Sequence, residues 1–209
     1  VILDLVTHSD PVLYRAAQGF DFAHPPFDPI EFANNLVETM LARRGLGLSG
    51  PQVGIPYRVF SVASDPCGVF YNPKIVSSSE ATTELVEGCL TFPGLFLKIK
   101  RHRIIRLRYT LPNGSTMTKQ FSDFTSRVMQ HEIDHLDGIT IIGKQEGLKR
   151  SFAKKKWAKI VALDGGVRIK FQPEMVDMIS AAEAQLSIEN KVREANDKAG
   201  EKMKGIAKR

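Results

Sequence analysis

The chain has 209 residues, 43% hydrophobic and 25% charged, with a formal net charge of +6. That composition suits one globular domain with a real core, and no apolar run approaches the ~20 residues of a membrane helix. Residues 144–209 carry 16 Lys+Arg against 9 Asp+Glu, while residues 1–143 carry 13 against 14, so the basicity belongs to the C-terminal third and gives no reason to direct the rest at nucleic acid.

Residues 1–7 show no basic region followed by an apolar core, the pattern of a secretory signal. The first element is a helix over residues 29–44. Asp28 caps it, Pro29 fits its first turn, and Glu31 completes a capping box. Ile30, Ala33, Val37, Met40 and Leu41 form a stripe at helical spacing that is expected to face the core, and Gly45 ends the helix. A glycine-dense loop follows over residues 45–54. Strands are expected over 57–63 and 68–71, broken by Asp65-Pro66 and Asn72-Pro73. Residues 104–109 alternate, with Ile105, Leu107 and Tyr109 on one face and Arg106 and Arg108 on a solvated one. Pro112-Asn113-Gly114 turns the chain back through 116–121 as a hairpin.

A second helix is expected over residues 123–136, stopped by Gly138. Phe124, Val128, His131 and His135 share one face, and Met129, Ile133 and Leu136 cover another, so this helix should be buried. Residues 148–163 read as a short basic amphipathic helix, broken by Gly165-Gly166. Beyond it come a small strand at 167–171, a helix from Pro173, and a charged end from Glu189 that is expected to fray. Two cysteines, Cys67 and Cys89, cannot build a disulfide framework, so both should be reduced.

The strongest chemical signal is His131-Glu132-Ile133-Asp134-His135. Side chains four apart on a helix point the same way, so both imidazoles can reach one metal ion. Glu132 between them can serve a nearby water as a proton acceptor. A catalytic site needs a third ligand and an open position. Downstream, Glu146 is rather close and Glu174 lies past the composition break. Upstream, Cys89 in Glu87-Gly88-Cys89-Leu90-Thr91 is the better candidate.

Three segments in order carry a more specific signal: Gly45-Leu46-Gly47-Leu48-Ser49-Gly50-Pro51-Gln52, then Glu87-Gly88-Cys89-Leu90-Thr91, then Gln130 through Gly138. Together they resemble the three motifs of the peptide deformylases, and Asp10-Pro11-Val12-Leu13 with Ala16-Ala17 resembles that family's opening. The resemblance runs to about Lys159 and does not cover residues 165–209. It implies that Cys89, His131 and His135 hold one divalent ion per chain, Fe(II) natively and Zn, Ni or Co as replacements. It implies Glu132 as acid/base, with Gln52 and the Leu90 N–H on the oxyanion. The substrate would be an N-formylmethionyl nascent peptide lying extended between Leu46, Gly47 and Leu48 on one side and Pro93, Gly94 and Leu95 on the other. Phe124, Val128, His131 and Leu46 would line the methionine pocket.

This chain departs from the common pattern in several places. Ser49-Gly50 stands for Ala-Ala and is expected to loosen the loop, Thr91 stands for Ser, and Phe96 stands where many members have Arg. The fold expected is α+β, with antiparallel strands around a buried metal-ligand helix and the first helix packed outside. Residues 1–164 would be the catalytic domain and 165–209 a basic, partly helical C-terminal extension, through which the enzyme could reach a ribosome. The setting implied is a bacterial or phage-infected cytoplasm or an organelle, with no membrane partner. A zincin-type peptidase would leave Cys89 without a role, and a silent metal-stabilised RNA-binding module would need neither Gln52 nor Glu132.

Overall fold

The computed structural model describes residues 1–63 and 68–164. The strand expected at 167–171, the helix from Pro173, the extension at 165–209 and Cys67 lie outside the described residues.

Helix α1 (Pro29–Ala42) begins as expected, with the Asp28 carboxylate accepting from the Ile30 and Glu31 N–H groups. Its buried face differs from the expected stripe. Phe32, Ala33, Leu36, Thr39 and Met40 are buried, whereas Ile30 and Leu41 are more than half exposed. Apolar residues ring this helix, so spacing alone allows two stripes, and packing selects the one that faces the sheet. Arg44, at φ 52, takes the left-handed turn that ends the helix, and the following Gly45 N–H donates to the Met40 carbonyl at 2.8 Å.

The glycine-dense segment holds a short strand, β1 (Gly47–Ser49), and a 3-10 helix (Gly50–Val53). Strands β2 (Val59–Val62), β3 (Gly68–Ser78), β4 (Thr82–Glu87), β5 (Leu97–His102), β6 (Ile104–Thr110) and β7 (Thr116–Ser122) follow. They form a five-stranded antiparallel sheet in the order β1-β2-β3-β6-β7 and a separate two-stranded pair, β4-β5. The expected break at Asn72-Pro73 is instead a bulge inside β3. The register shifts between Tyr71 and Lys74, and Asn72, at φ 47, lets the chain continue past a proline that has no N–H to give the ladder.

Helix α2 (Asp123–Leu136) lies against β1, β2, β5, β6 and β7. Val128, Met129, Ile133 and Leu136 pack on Phe60, Val62, Phe70, Ile105, Leu107 and Tyr109. Arg106 and Arg108 of β6 are exposed, and Ile105, Leu107 and Tyr109 are buried, as the alternation predicts. On the other side of the sheet, Leu36 and Met40 meet Leu48, Val59, Val69 and Tyr71. Helix α3 (Gly147–Asp164) docks through Ala153, Trp157 and Ile160 onto Phe92, Leu95 and Ile99, holding down the segment that follows Cys89. No helix among the described residues is long and apolar enough to cross a membrane.

Candidate metal centre

Helix α2 aims His131 and His135 at the loop that follows β4, where Cys89 sits. The donor atoms of these three residues lie within 4.8 Å of one another, and Cys89 Sγ is 3.2 Å from His135 Nε2. Four-residue spacing explains the two imidazoles. The third donor arrives because β4 ends at Glu87, two residues before Cys89. Glu146 is exposed and belongs to no such cluster among the described residues, and Glu174 lies outside them. One thiolate and two imidazoles suit a single ion with a fourth position open. Burial opposes the Cys89 thiolate, yet the charge of His135 and hydrogen bonds from both histidines hold its pKa well below the usual thiol range.

The residues behind the donors argue for the same use. The Glu87 carboxylate accepts from His131 Nδ1 at 3.0 Å, which fixes the ring and leaves Nε2 toward the cluster, as metal-bound histidines commonly require. Glu87 also takes a two-pronged bond from Arg101, at 3.0 and 2.8 Å, and one from Arg127 at 2.6 Å. Burial alone would raise the Glu87 pKa, but His131 and Arg101 together hold it far below the carboxylate range. Arg101 reaches Asp134 as well, and Lys144 Nζ stands 2.8 Å from that carboxylate. Every charge in this network has an opposite neighbour. Removing one partner from such a buried set costs about 3–5 kcal/mol, because the others are left uncompensated.

Glu132 is 3% exposed, and its Oε2 has no hydrogen-bond partner among the described protein atoms. A buried acceptor without a donor is costly, and a water beside the three donors would satisfy it. Burial pushes the Glu132 carboxyl up to about 7, against the pull of His131 and His135. Gly47 makes room for this side chain: a Cβ at Gly47 would collide with Glu132 Oε1.

Gln52, 2% exposed, completes the ring around the cluster. Its Oε1 accepts from the Ser49 N–H at 2.9 Å and the Ser49 hydroxyl at 3.0 Å. Its Nε2 donates to Thr91 Oγ1 at 3.2 Å and faces Cys89 Sγ at 3.8 Å. The expectation that Ser49-Gly50 loosens this loop is therefore not met. Ser49 bonds Gln52, and Gly50 packs so closely that an added Cβ would lie 2.9 Å from the Ile55 carbonyl oxygen.

Residues 2–151 match the profile of the family described as polypeptide deformylase. The chain belongs to that family. It is 39% identical over 153 residues to the peptide deformylase of Thermotoga petrophila, covering 70% of this chain and 89% of the relative. It is similar to the crystal structure of peptide deformylase from Thermotoga maritima, with a TM-score of 0.66 and 30% identity over 70% of this chain and 99% of that one. It is also similar to the Met-Ala-Ser-bound class I type b peptide deformylase of Acinetobacter baumannii, with a TM-score of 0.65, 28% identity and coverage of 69% and 99%.

The remaining expected residues differ in what they can offer a peptide. Leu46, Phe124 and Val128 belong to one apolar cluster, and Val128 stands one helical turn before His131 on α2. The side chains of Leu48 and Leu95 are fully buried in other clusters, so only their main chain can meet a peptide. Pro93 is exposed, and Gly94 turns the chain at φ 77. Leu90 packs over the glycine segment, where a Cβ at Gly45 would lie 2.8 Å from its Cδ1. Glu87, Arg101, Arg127 and Asp134, which support the histidines from behind, were not legible as site residues in the sequence. The available signal was a Glu two residues before the candidate Cys, and charged residues at the inward positions of β5 and α2.

Proposed function

We infer that Cys89, His131 and His135 hold one divalent ion, beside which Glu132, Gln52 and the Leu90 N–H hydrolyse the N-formyl group of formylmethionyl peptides. The observation that carries this reading is the convergence of three donors, the unpartnered Glu132 oxygen and the Gln52 carboxamide on one buried spot. When bound, the ion supplies Lewis acidity that makes water nucleophilic at neutral pH. Glu132 takes a proton from the attacking water and returns it to the leaving amine as formate departs. A carboxyl that titrates near neutrality suits both transfers. As the formyl carbon becomes tetrahedral, charge gathers on its oxygen, where Gln52 Nε2 and the Leu90 N–H donate, each worth ~3 kcal/mol.

β1 is an edge strand. The Ala63 N–H donates to the Leu46 carbonyl, and the Ser49 N–H turns away from β2 to reach Gln52. By strand alternation, the Gly47 amide groups face the free edge, where an extended peptide can add as a strand. The main chain of Pro93, Gly94 and Leu95 bounds the opposite side. Leu46, Phe124, Val128 and the His131 ring receive the unbranched methionine side chain.

The native ion in this reading is Fe(II), with Zn, Ni or Co able to replace it. Thiolate-ligated Fe(II) at an open position is oxidised by air, so formate release should be higher from anaerobically prepared protein, and nickel should restore air stability. Equal activity in both preparations would rule out iron as the working metal.

We place the enzyme with nascent chains in a bacterial-type cytoplasm, where residues 144–209 act as an electrostatic anchor to ribosomal RNA. Lys149, Lys154, Lys155 and Lys159 are exposed on α3, while residues 165–209 lie outside the described residues. The full chain should sediment with ribosomes at low salt and be released steeply as salt rises, because each phosphate contact frees counterions. A chain ending at Leu163 should bind more weakly. Identical sedimentation of the two would remove residues 165–209 from the anchor.

A further inference from the structure

We propose that the Ser49 hydroxyl is a positioning residue for hydrolysis, holding the Gln52 carboxamide so that one N–H faces the formyl oxygen. The proposal rests on the Gln52 role given above and extends it to a residue that the common family pattern does not supply.

A carboxamide offers two acceptor sites on oxygen and two N–H donors. In Gln52 both oxygen sites are taken, by the Ser49 N–H at 2.9 Å and the Ser49 hydroxyl at 3.0 Å. One N–H goes to Thr91 Oγ1 at 3.2 Å, and the other is left on the side of Cys89 Sγ, 3.8 Å away. Three of the four positions are thus held by Ser49 and Thr91, and the fourth, an N–H, is directed at Cys89 Sγ in the candidate metal centre, the side from which a formyl oxygen would approach. The backbone N–H sets which end of the amide faces inward, because a reversed amide would set donor against donor at Ser49 and bring its oxygen toward the Cys89 sulfur. The hydroxyl fills the second acceptor site and fixes the amide plane.

Burial gives that bond its weight. Ser49 is fully buried, Gln52 is 2% exposed and Thr91 8%, so bulk water cannot take the place of a lost hydroxyl. With alanine at position 49, Oε1 keeps one donor and the amide turns to recover a second, moving Nε2 off the line to the substrate. Misplacing the donor by a fraction of a bond length costs more in the transition state, where the oxygen carries charge, than in the bound substrate. The loss should therefore fall on kcat.

The test is a double-mutant cycle on the metal-loaded full chain with a formyl-Met-Ala-Ser peptide, using wild type, Ser49→Ala, Gln52→Ala and the double variant, with metal content and Tm measured for each. Ser49→Ala is expected to lower kcat about tenfold, the scale of one hydrogen bond, with KM and metal content unchanged. In the Gln52→Ala background the same change should cost almost nothing, because the group it positions is gone. An unchanged kcat in Ser49→Ala, a loss confined to KM, or an equal tenfold loss in both backgrounds would overturn the proposal while leaving the Gln52 role standing. Full turnover by Gln52→Ala would remove the Gln52 role itself, and the proposal with it.

Discussion

Glu132→Gln is expected to give a folded protein with full metal content and turnover reduced by ~10²–10⁴-fold, the range for loss of a positioned acid/base group. Glu132 lies between His131 and His135, but the donor cluster consists of Cys89, His131 and His135. Its carboxylate presses against the backbone of Gly47, with Oε2 unpartnered among the described protein atoms. The amide preserves shape and the contact at Gly47 while removing the proton-accepting oxygen pair. It also removes a buried carboxyl oxygen that has no donor among the described protein atoms, so stability should hold or rise slightly. Parallel measurement of metal content, Tm and formate release separates these effects. Near-normal turnover, or loss of metal together with activity, would contradict the role assigned to Glu132.

Cys89→Ala carries the second large effect. Removing the thiolate leaves two imidazoles, and the expected result is loss of bound metal together with essentially all turnover. The fold should survive, because Cys89 is only partly buried and stands in a loop between β4 and β5, while the Glu87 network behind it does not involve the sulfur. Metal analysis of the purified variant, beside circular dichroism, checks this. A variant with full metal content and turnover would mean that the third ligand lies elsewhere.

The two helices were legible in the sequence to different degrees. α2 announced itself because its apolar positions run almost all round while two histidines interrupt them at one helical turn, and burial of nearly every side chain follows. α1 was legible in extent but not in orientation. Ile30 and Leu41 are as apolar as Leu36 and Met40, and only the neighbouring strands decide which face turns inward.

The strands flanking Cys89 were not legible. β4 is exposed along most of its length, so it lacks an alternating apolar face. In β5 the inward position after Ile99 is held by Arg101, whose burial makes sense only once Glu87 and Asp134 are seen beside it. Buried charge networks depend on residues far apart in the chain, and no local periodicity reports them. β1 was hidden for another reason. Three residues between glycines read as loop, yet their pairing with β2 makes them the sheet edge at which a peptide would lie. The candidate ligands were legible through joined motifs more than through spacing, since nothing local ties Cys89 to His131, far along the chain on another element.

Formate release tests the central claim most directly. The anaerobically prepared 209-residue chain would be given formyl-Met-Ala-Ser and, separately, acetyl-Met-Ala-Ser, with formate, free N-termini and bound metal quantified in the same samples. The expected result is one formate and one free methionine N-terminus per formyl peptide consumed, at a rate proportional to bound metal, with the acetyl peptide left intact. Metal-loaded protein that releases no formate, or that cleaves the Met-Ala bond instead, would contradict it.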